Sequence, residues 1–440
     1  MLNSSIISKF KRNDILKKTT EGILFKSLSV FFNYAFLYLV TTEYGVESWG
    51  VVAICLATIN ISSVFGKSGI DIAILKFSSF LKNELGNVSS LYKKGSKLIF
   101  SSSIILTFFL CLFSDSIAKI VFDKPYMSEH LFVSFLGIPA FSLLSLNAQV
   151  FRSLEKIRLY FLFIELFKFL FPVLIISSFL ISTDTRNSLI PVIAFVISLY
   201  LCFIISLFFI KKIIRKVDQI NVISYKKIIS TAIPLLFATS GILLINWSDT
   251  LMLGFYRTDY ETGSYNMVAK IAQVPNIILL ALNGIIAPKI SNSFNNGKMK
   301  EFRNVIQNST KVLFYTSIPV FILLFIFSNT LFSLLNISSN EIEMTFLVLL
   351  LSQAVNVFIG PVGLILQMIG KQKVFSKAVL FGLVLNITLN IILIKPYGVL
   401  GASIASLIST IIWNTICFIF IYKKYKIATI YNPFKFILKE

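Results

Sequence analysis

The stretch IPLLFATSGILLINWSDTLMLGFY, residues 233–256, decides the class of fold. It holds one charged side chain, Asp249, in an otherwise uncharged run. A helix of about 20 such residues crosses the hydrocarbon core of a bilayer. A carboxylate inside a span is costly and usually faces a bundle interior or a water-filled cavity. The stretch therefore predicts a membrane-spanning helix with one polar side.

The composition extends this prediction to the whole chain. Of its 440 residues 56% are hydrophobic, the mean hydropathy is +0.83, and only 14% are charged, against about 25% in soluble proteins. The net charge of +21 is spread through short loops, which argues against nucleic acid as a partner. The four cysteines lie far apart in apolar runs, so we expect no disulfide framework, no metal site and no thiol catalysis.

Apolar runs of membrane-spanning length recur along the sequence. We place twelve spans at residues 20–41, 49–75, 97–122, 131–151, 159–181, 189–210, 228–256, 264–288, 309–334, 342–368, 374–395 and 398–422. Backbone amides need internal partners in hydrocarbon, and these runs are too long and uniform for barrel strands, so we predict an all-α polytopic membrane protein. Prolines inside spans predict kinked helices at Pro172, Pro234, Pro275, Pro319 and Pro361.

The distribution of basic residues orients these spans. Of the 41 lysines and arginines, 32 fall in the terminal segments and alternate loops on one side, and five fall in the loops on the other side. Cytoplasmic loops carry the excess of lysine and arginine in membrane proteins. We therefore expect both termini in the cytoplasm, with the inner-loop lysines close to anionic membrane lipid.

The two halves of the chain resemble each other weakly. A shift of 213 lays WGVVAICLA (49–57) over TGSYNMVAK (262–270), and a shift of 215 lays LEKIR (154–158) over IGKQK (369–373). Two matches at nearly one offset, close to half the length, predict two six-helix halves in the same orientation. Parallel repeats are a known transporter plan with the substrate site between the halves. The predicted lobes are residues 1–217 and 218–440.

Three stretches carry a resemblance to a known family. LNITLNIILIKPYGVLGASIASLIS (385–409) resembles the last two helices of the multidrug/oligosaccharidyl-lipid/polysaccharide exporter superfamily. SDTLMLGFYRTDYETGSYNMVAKIA (248–272) resembles the junction of the seventh and eighth helices in its polysaccharide transporters, and WGVVAI with GIDIAILKF (49–54 and 69–77) resembles the second helix. Many relatives carry a basic residue just before the acidic one, where this chain reads Asn246-Trp247-Ser248.

The resemblance implies both an architecture and a function. It implies two pseudo-symmetric lobes around a central cavity lined by the first, second, seventh and eighth helices. The branch most like this chain comprises flippases that move undecaprenyl-pyrophosphate-linked oligosaccharide, the O-antigen or capsule repeat unit, across the bacterial inner membrane. We therefore expect a multi-pass transporter of that membrane, with the polymerase and chain-length regulator of the same pathway as partners.

Spacing along the spans selects candidate site residues independently. We single out eight ionisable residues within spans: Glu21, Lys26, Lys67, Asp71, Glu165, Lys168, Asp249 and Lys270. Polar side chains recur on one helical face in four spans: Lys26, Ser29 and Asn33; Asn60, Ser63, Lys67 and Asp71; Asn246 and Asp249; and Asn266, Lys270 and Gln273. Lipid would not tolerate such faces. Lysines could bind the pyrophosphate, and Ser and Asn could bind sugar hydroxyls.

Structural roles compete with these assignments. Lys67 and Asp71 are four residues apart and could neutralise each other on one helix. Glu165 and Lys168 are three apart, and a structural ion pair is the favoured interpretation there. Lys26 lies in the first turns of its helix, from which its side chain could extend to the inner interface.

Asp249 leaves three interpretations open. It could cap the outer end of its helix, pair with Lys270 or Lys26, or bind a coupling H⁺ or Na⁺. Lys270 has no acidic residue within four positions, which favours a cavity role. Asn386 and Asn390 are interpreted as interhelical contacts. The expected neighbour of Asp249 is water or a lysine.

Three other functions remain as alternatives. A drug or cation antiporter of the same superfamily would want acidic residues to dominate its cavity. A repeat-unit polymerase, which is an enzyme, would carry a long outer loop with basic catalytic residues, whereas the longest outer loop here, about 115–130, holds only Lys119 and Lys124. A non-transporting lipid-binding scaffold leaves the four polar faces unexplained. The sequence favours a flippase without covalent chemistry, cofactor or bound metal.

Overall fold

The computed structural model describes residues 4–81, 84–182, 186–214, 223–337 and 339–431. All regular structure within these ranges is helical, which confirms the predicted all-α class. The chain divides into two compact units, Met1–Ser240 (unit 1) and Gly241–Glu440 (unit 2). The lobe boundary predicted at 217/218 lies outside the described residues.

The described part of unit 1 contains the α-helices α1 to α9, several of them short, and two short π-helices. In chain order they are α1 (Ser4–Tyr44), α2 (Val46–Lys67), α3 (Ile70–Phe80), α4 (Leu85–Leu112), α5 (Ser114–Ser116), π1 (Ile117–Val121), α6 (Met127–Ser153), α7 (Ile157–Phe161), π2 (Leu162–Leu166), α8 (Phe167–Ser182) and α9 (Leu189–Ile213). Helix α10 (Tyr225–Tyr256) begins in unit 1 and ends in unit 2.

Unit 2 continues with long helices and short segments. They are α11 (Asp259–Ala272), α12 (Asn276–Asn295), α13 (Met299–Ile326), α14 (Ser328–Leu334), α15 (Asn340–Phe358), α16 (Val362–Met368) and α17 (Gln372–Tyr425). Pro275 and Pro361 lie directly before α12 and α16, so these two prolines end a span's first helix rather than kink it. Pro172, Pro234 and Pro319 lie inside helices.

The number of spans agrees with the prediction when the bend in α10 and the break in α17 are taken into account. Ten helices of the described part are long and apolar enough to cross a membrane, and the bent pair Tyr225–Leu236 and Ser240–Tyr256 in α10 adds an eleventh. Helix α17 is interrupted at Gly398, whose backbone (φ 54°, ψ −133°) is not helical. Each side of that break is long enough to span a bilayer, which gives the predicted twelve.

Helices α2 and α6 form the centre of unit 1. In their most apolar stretches 78% and 83% of the residues are buried, against 22% in α4. Helix α6 packs against α2, α3, α4 and α9, and the fully buried Trp49 of α2 meets Phe36 of α1 edge to face at 5.8 Å. Helix α4 is as apolar as α2 but presents most of its surface outward, so burial and not hydropathy distinguishes the central helices.

The second span is not one helix. Ser68 and Gly69, with φ of 48° and 74°, end α2 and begin α3, so the predicted continuous span 49–75 consists of two helices. The break matters for the site because it separates Lys67, the last residue of α2, from Asp71 in the first turn of α3.

The break in α17 is held by a side chain from another helix end. Arg257 donates from Nη2 to the backbone oxygens of Ile394 and Lys395, both at 2.8 Å, and from Nε to that of Ile394 at 3.2 Å. These carbonyls lie one turn before Gly398, where the regular helix ladder ends. Arg257 thus supplies the donors that a continuing helix would have supplied.

The internal duplication seen in the sequence also appears in the backbone. Helix α2 begins directly after Gly45, and α11 begins directly after Thr258, which are related by the offset of 213. Thr258 closes its helix start with a capping box shared with Glu261.

The matched inner turns repeat a backbone geometry at the offset of 215. Glu155 and Gly370 both adopt the left-handed conformation, with φ of 59° and 73°. The following residues close the turn with the same 2.8 Å hydrogen bond, from Lys156 N–H to Phe151 O and from Lys371 N–H to Leu366 O. This six-to-one bond is the Schellman end of a helix, which favours glycine at the left-handed position.

Gly370→Ala measures the free-energy cost of the left-handed backbone conformation in this turn. We expect it to lower the free energy of unfolding by about 1 kcal/mol, because the left-handed conformation costs an L-residue ~1–2 kcal/mol. No atom lies within 4 Å of the added Cβ, so packing does not contribute. Thermal unfolding of the purified protein in detergent measures the change.

Gly284→Ala is the matched control. Its added Cβ also meets nothing within 4 Å, but Gly284 lies inside α12 with helical backbone. We expect stabilisation by about 0.5–1 kcal/mol at that position. Equal shifts in the two variants would contradict the strain assigned to Gly370.

Candidate functional site

In unit 1 the polar face of α1 meets Glu165. Lys26 Nζ lies 2.7 Å from Glu165 Oε2, and Ser29 Oγ donates to the backbone oxygen of Glu165 at 3.0 Å. The structure therefore brings two of the three predicted α1 residues together on one partner. Asn33, one turn beyond Ser29, is half-buried on the same helix. The side chain of Glu21 lies outside the described part.

Glu165 makes its close ion pair with Lys26, whereas the favoured partner Lys168 interacts with it only at longer range. Glu165 lies in π2, where the backbone turn is wider than in an α-helix. The three-residue spacing rule of an α-helix therefore does not apply to Glu165 and Lys168. Single π turns recur at functional sites of helical proteins.

Lys67 and Asp71 form only a weak pair. Their charged atoms are 4.0 Å apart, and Lys67 Nζ also lies 3.5 Å from Ser145 Oγ of α6. Their spacing predicted that Lys67 and Asp71 are neighbours on one helix, but the break at Ser68 and Gly69 lies between them. Each charge instead lies at a favourable helix end: the lysine at the carboxyl end of α2 and the aspartate at the amino end of α3.

Lys168 joins the same region of unit 1 through aromatic rings. Its Nζ lies 5.5 Å from the ring centre of Phe141 and 4.9 Å from that of Phe169. Lys67 Nζ lies 5.4 Å from the same Phe141 ring, so two ammonium groups share one phenyl group. Cation–π contacts hold an ammonium without neutralising it. Lys168 is also within electrostatic reach of Lys26.

We call these five residues of unit 1 the charge cluster: Lys26, Lys67, Asp71, Glu165 and Lys168. Three cations and two carboxylates give it an excess positive charge within membrane-spanning helices. Sequence spacing missed the participation of Lys168, because the Phe141 contact joins α8 to α6, which no pattern along one helix can reveal. Asn60, another predicted site residue, is half-buried, and its Nδ2 donates to Leu56 O of its own helix at 2.7 Å.

In unit 2, Asp249 is buried, with 5% of its surface exposed, and accepts four hydrogen bonds. Tyr265 Oη donates to Oδ2 at 2.7 Å, and Ser406 Oγ donates to the same oxygen. Asn390 Nδ2 and Asn386 Nδ2 donate to Oδ1 at 2.7 and 3.1 Å. All four donors are neutral side chains, so none of these contacts is the predicted lysine, and the predicted contact with water stays a prediction.

The partners of Asp249 come from the following helix and from the distant α17. Tyr265 belongs to α11, whereas Asn386, Asn390 and Ser406 belong to the two arms of α17 on either side of Gly398. The sequence did carry a signal, because two asparagines four apart in an apolar helix form one polar face. The interhelical role assigned to these asparagines is present, and its target is the carboxylate of Asp249.

The polar face predicted for the eighth span crosses the end of a helix. Asn266 Nδ2 donates to Thr250 Oγ1 of α10 at 3.2 Å. Lys270 is half-buried in the last turn of α11, where a positive charge interacts favourably with the helix dipole. Gln273 follows the end of α11 and lines a cavity together with Asn246.

This cavity lies entirely within unit 2 and has a volume of about 380 Å³. Its walls come from α10, the α11–α12 connection, α12, α15, α16 and α17. Two predicted residues, Asn246 and Gln273, thus reach it, while Asp249 lies one turn from Asn246 on α10. Among the described residues no group of three or more His, Cys, Asp or Glu is positioned to hold a metal.

Solved structures show the same helical architecture. A multidrug resistance MATE family transporter of the MOP superfamily, in an inward-facing conformation, superposes with a TM-score of 0.72 at 13% identity over 90% of this chain and 94% of that one. The lipid II flippase MurJ, in an inward closed conformation, gives 0.71 at 17% identity over 92% and 87%. The fold is therefore that of the MOP exporter superfamily.

The sequence assigns the chain within that superfamily. The model of the polysaccharide biosynthesis protein family matches residues 15–294, and the chain belongs to this family. The MatE model matches residues 234–392. A probable low-salt glycan biosynthesis flippase of Haloferax volcanii, Agl15, is 26% identical over 168 residues, which is 37% of this chain and 35% of the relative.

Asp249→Ala tests the hydrogen-bond network in unit 2. We expect it to lower the free energy of unfolding, because Tyr265, Asn390 and their neighbours keep buried donors without an acceptor, at ~1–3 kcal/mol for an unsatisfied group. Thermal unfolding in detergent measures the loss. Asp115→Ala, an exposed carboxylate paired with Lys119, serves as control and should change stability by less than about 0.5 kcal/mol.

A double-mutant cycle with Asn390→Leu separates this network from general damage. Residues in one hydrogen-bond network couple by ~0.5–3 kcal/mol. The double variant should therefore lose clearly less than the two single losses combined. Additive losses would mean that Asn390 and Asp249 do not depend on each other.

Proposed function

We propose that this protein is a flippase for undecaprenyl-pyrophosphate-linked oligosaccharide. In this proposal it carries an O-antigen or capsule repeat unit from the cytoplasmic to the outer leaflet of a bacterial inner membrane. Transport proceeds by alternating access, without covalent chemistry and without a resident cofactor. The repeat-unit polymerase and its chain-length regulator act on the cargo afterwards and are the expected partners.

The charge cluster of unit 1 is the observation that carries the proposal. A pyrophosphate leaving water needs cationic donors in place of its lost hydration, and lysine ammonium groups supply them. Lys67 and Lys168 both contact the Phe141 ring, while the carboxylates near them act at longer range: Asp71 lies 4.0 Å from Lys67, and Glu165 acts electrostatically on Lys168. A phosphate could therefore compete for both ammonium groups. Lys26 is held by Glu165, and a phosphate could compete for that ammonium.

Asp249 has the properties of a coupling site. Its four donors satisfy the carboxylate oxygens without neutralising the charge. A buried anion in such a setting attracts a small monovalent cation or a proton. We include in the proposal that Asp249 takes up the coupling H⁺ or Na⁺, and that Lys270 belongs to the path of the pyrophosphate.

Family membership supports the same substrate class. The chain belongs to the polysaccharide biosynthesis protein family, and one matched relative is described as a glycan biosynthesis flippase. That match covers about a third of either chain, so the identity of the glycan rests on the proposal and not on the relative. The host membrane and the oligosaccharide are likewise proposed.

A drug or cation antiporter is the second candidate. The match of the MatE model to residues 234–392 and the presence of a buried carboxylate in unit 2 favour it. Such an antiporter would bind an organic cation, which the excess positive charge of the charge cluster disfavours. Drug sensitivity of a strain lacking the gene, with normal surface polysaccharide, would select this candidate.

Lys26 and Lys270 test the role of positive charge. In a strain lacking the gene, Lys26→Arg should restore more surface polysaccharide than Lys26→Gln, because the arginine keeps the charge that the pyrophosphate needs. Lys270→Ala should abolish export. Electrophoresis of surface polysaccharide gives the readout, with membrane immunoblots to establish equal insertion.

Lys119→Gln is the control for these substitutions. Lys119 is exposed and pairs with Asp115 outside the charge cluster, so export should be unchanged. Equal complementation by Lys26→Arg and Lys26→Gln would indicate that Lys26 only extends to the inner interface. Normal polymer with Lys270→Ala would remove that residue from the site.

Asp249→Asn tests the coupling ion. The thermal midpoint of the purified wild type should rise when Na⁺ replaces choline at equal ionic strength, because a bound cation stabilises the folded state. Asp249→Asn should lose this rise, whereas Asp115→Asn should keep it. A wild type that responds to pH and not to Na⁺ would assign the site to protons; a response retained by Asp249→Asn would remove Asp249 from coupling.

A further inference from the structure

The cavity of unit 2 has an unusual chemical character for this chain. None of its lining residues is Asp, Glu, Lys, Arg or His in the described part, although the protein carries a net charge of +21. The polar part of its wall consists mainly of side-chain amides. On one side these are Asn246, Gln273, Asn276 and Asn283. Amides offer both donors and acceptors without charge.

Three of the lining amides form a relay between three segments. Asn414 of α17 donates to Asn356 of α15 at 3.4 Å, and Asn356 donates to Asn276 at the start of α12 at 3.3 Å. Asn414 also donates to Thr410 O at 3.0 Å. Each amide donates toward the next, so the relay fixes the amide orientations and leaves the Asn414 carbonyl oxygen at one end.

Three amide oxygens in this wall lack a donor. The side-chain oxygens of Asn283, Gln353 and Asn414 are buried and accept no hydrogen bond within the ranges that the structure describes. A buried unsatisfied acceptor destabilises the fold. A ligand that brings its own donors could relieve this cost if these side chains turn their closed-off oxygens toward the cavity.

An aromatic surface completes the cavity. Trp413 and Phe375 both line it, and their rings meet edge to face with centroids 6.2 Å apart. Small-molecule sites combine such apolar surface with a few polar groups that fix orientation, in volumes of ~300–1,000 Å³. The cavity of about 380 Å³ lies at the lower end of that range.

The wall excludes other parts of the cargo. Without a cation it does not suit the pyrophosphate, and without a carboxylate it does not suit an organic cation. A polyprenyl tail would remove water from the eight lining amides without offering them hydrogen bonds in return. A neutral hydroxylated ring fits, because every hydroxyl donates one hydrogen bond and accepts others.

We propose that the cavity of unit 2 is a subsite for an uncharged sugar ring of the transported glycan. The inference rests on the proposed function and adds to it a division of the cargo by chemistry. The pyrophosphate is bound by charge, and the sugar is bound by amides and the Trp413 surface. Sugar binding at this subsite therefore depends little on salt.

Gln353→Met tests the subsite with little risk to the fold. The substitution keeps the length of the side chain and removes an unsatisfied acceptor, so the thermal midpoint should stay or rise. The probe is the water-soluble oligosaccharide released by mild acid from the lipid-linked intermediates of the host. Calorimetric titration of the full chain in detergent should show a Kd raised about tenfold. Asn283→Leu is the second variant, with the same expectation.

Thr345→Val is the matched control. Thr345 is buried in unit 2, and its hydroxyl also lacks a partner in the described ranges, but it does not line the cavity. It should match Gln353→Met in stability while leaving the Kd of the oligosaccharide unchanged. A loss of binding in this variant would assign the effect to general packing and overturn the inference.

A second probe separates this inference from the proposed function. Undecaprenyl pyrophosphate without glycan should bind wild type and Gln353→Met equally. If wild type binds this lipid but not the oligosaccharide, or if Gln353→Met and Asn283→Leu leave the oligosaccharide Kd unchanged, the subsite is wrong and the flippase proposal stands. If wild type binds neither probe, the proposed function fails together with the subsite.

Discussion

The structure depends on one constraint, which is that a charge within membrane-spanning helices must find its partner inside the protein. Asp249 meets this constraint with four neutral donors from α11 and α17, and Glu165 meets it with Lys26 of α1. The contacts of Asp249 with α17 and of Lys26 with Glu165 join helices that are far apart in sequence. In a medium where apolar packing discriminates little between helices, such polar contacts select which helices become neighbours.

The two units meet the constraint with different chemistry. Unit 1 holds three partly exposed lysines with two carboxylates, so positive charge is left over among aromatic rings. Unit 2 buries Asp249 among neutral donors and lines its cavity with amides. An anionic group and a hydroxylated ring need these two environments respectively, and a cargo that carries both would find each need met by a different unit.

Hydropathy predicted the helices well because the thickness of the bilayer fixes span length and lipid rejects charge. All twelve spans lie on helices of the described part, and the offsets of the duplication recur in the matched turns at Glu155 and Gly370. Single-helix spacing failed where the helix is irregular. The break at Gly69 separated Lys67 from Asp71, and π2 turned Glu165 toward Lys26. Spacing also could not find contacts between spans, such as Lys168 with Phe141.

The duplication suggests how the two environments arose from one pattern. The offset of 213 lays Asn60, Ser63 and Lys67 of unit 1 over Gln273, Asn276 and Leu280 of unit 2. All three unit 2 residues line the cavity, so the polar face persists while its lysine is replaced by an apolar residue. Removing the charge leaves amide groups that a neutral ligand can satisfy and a pyrophosphate cannot. The same helical face could thus bind the charged part of one substrate headgroup in unit 1 and the neutral part in unit 2.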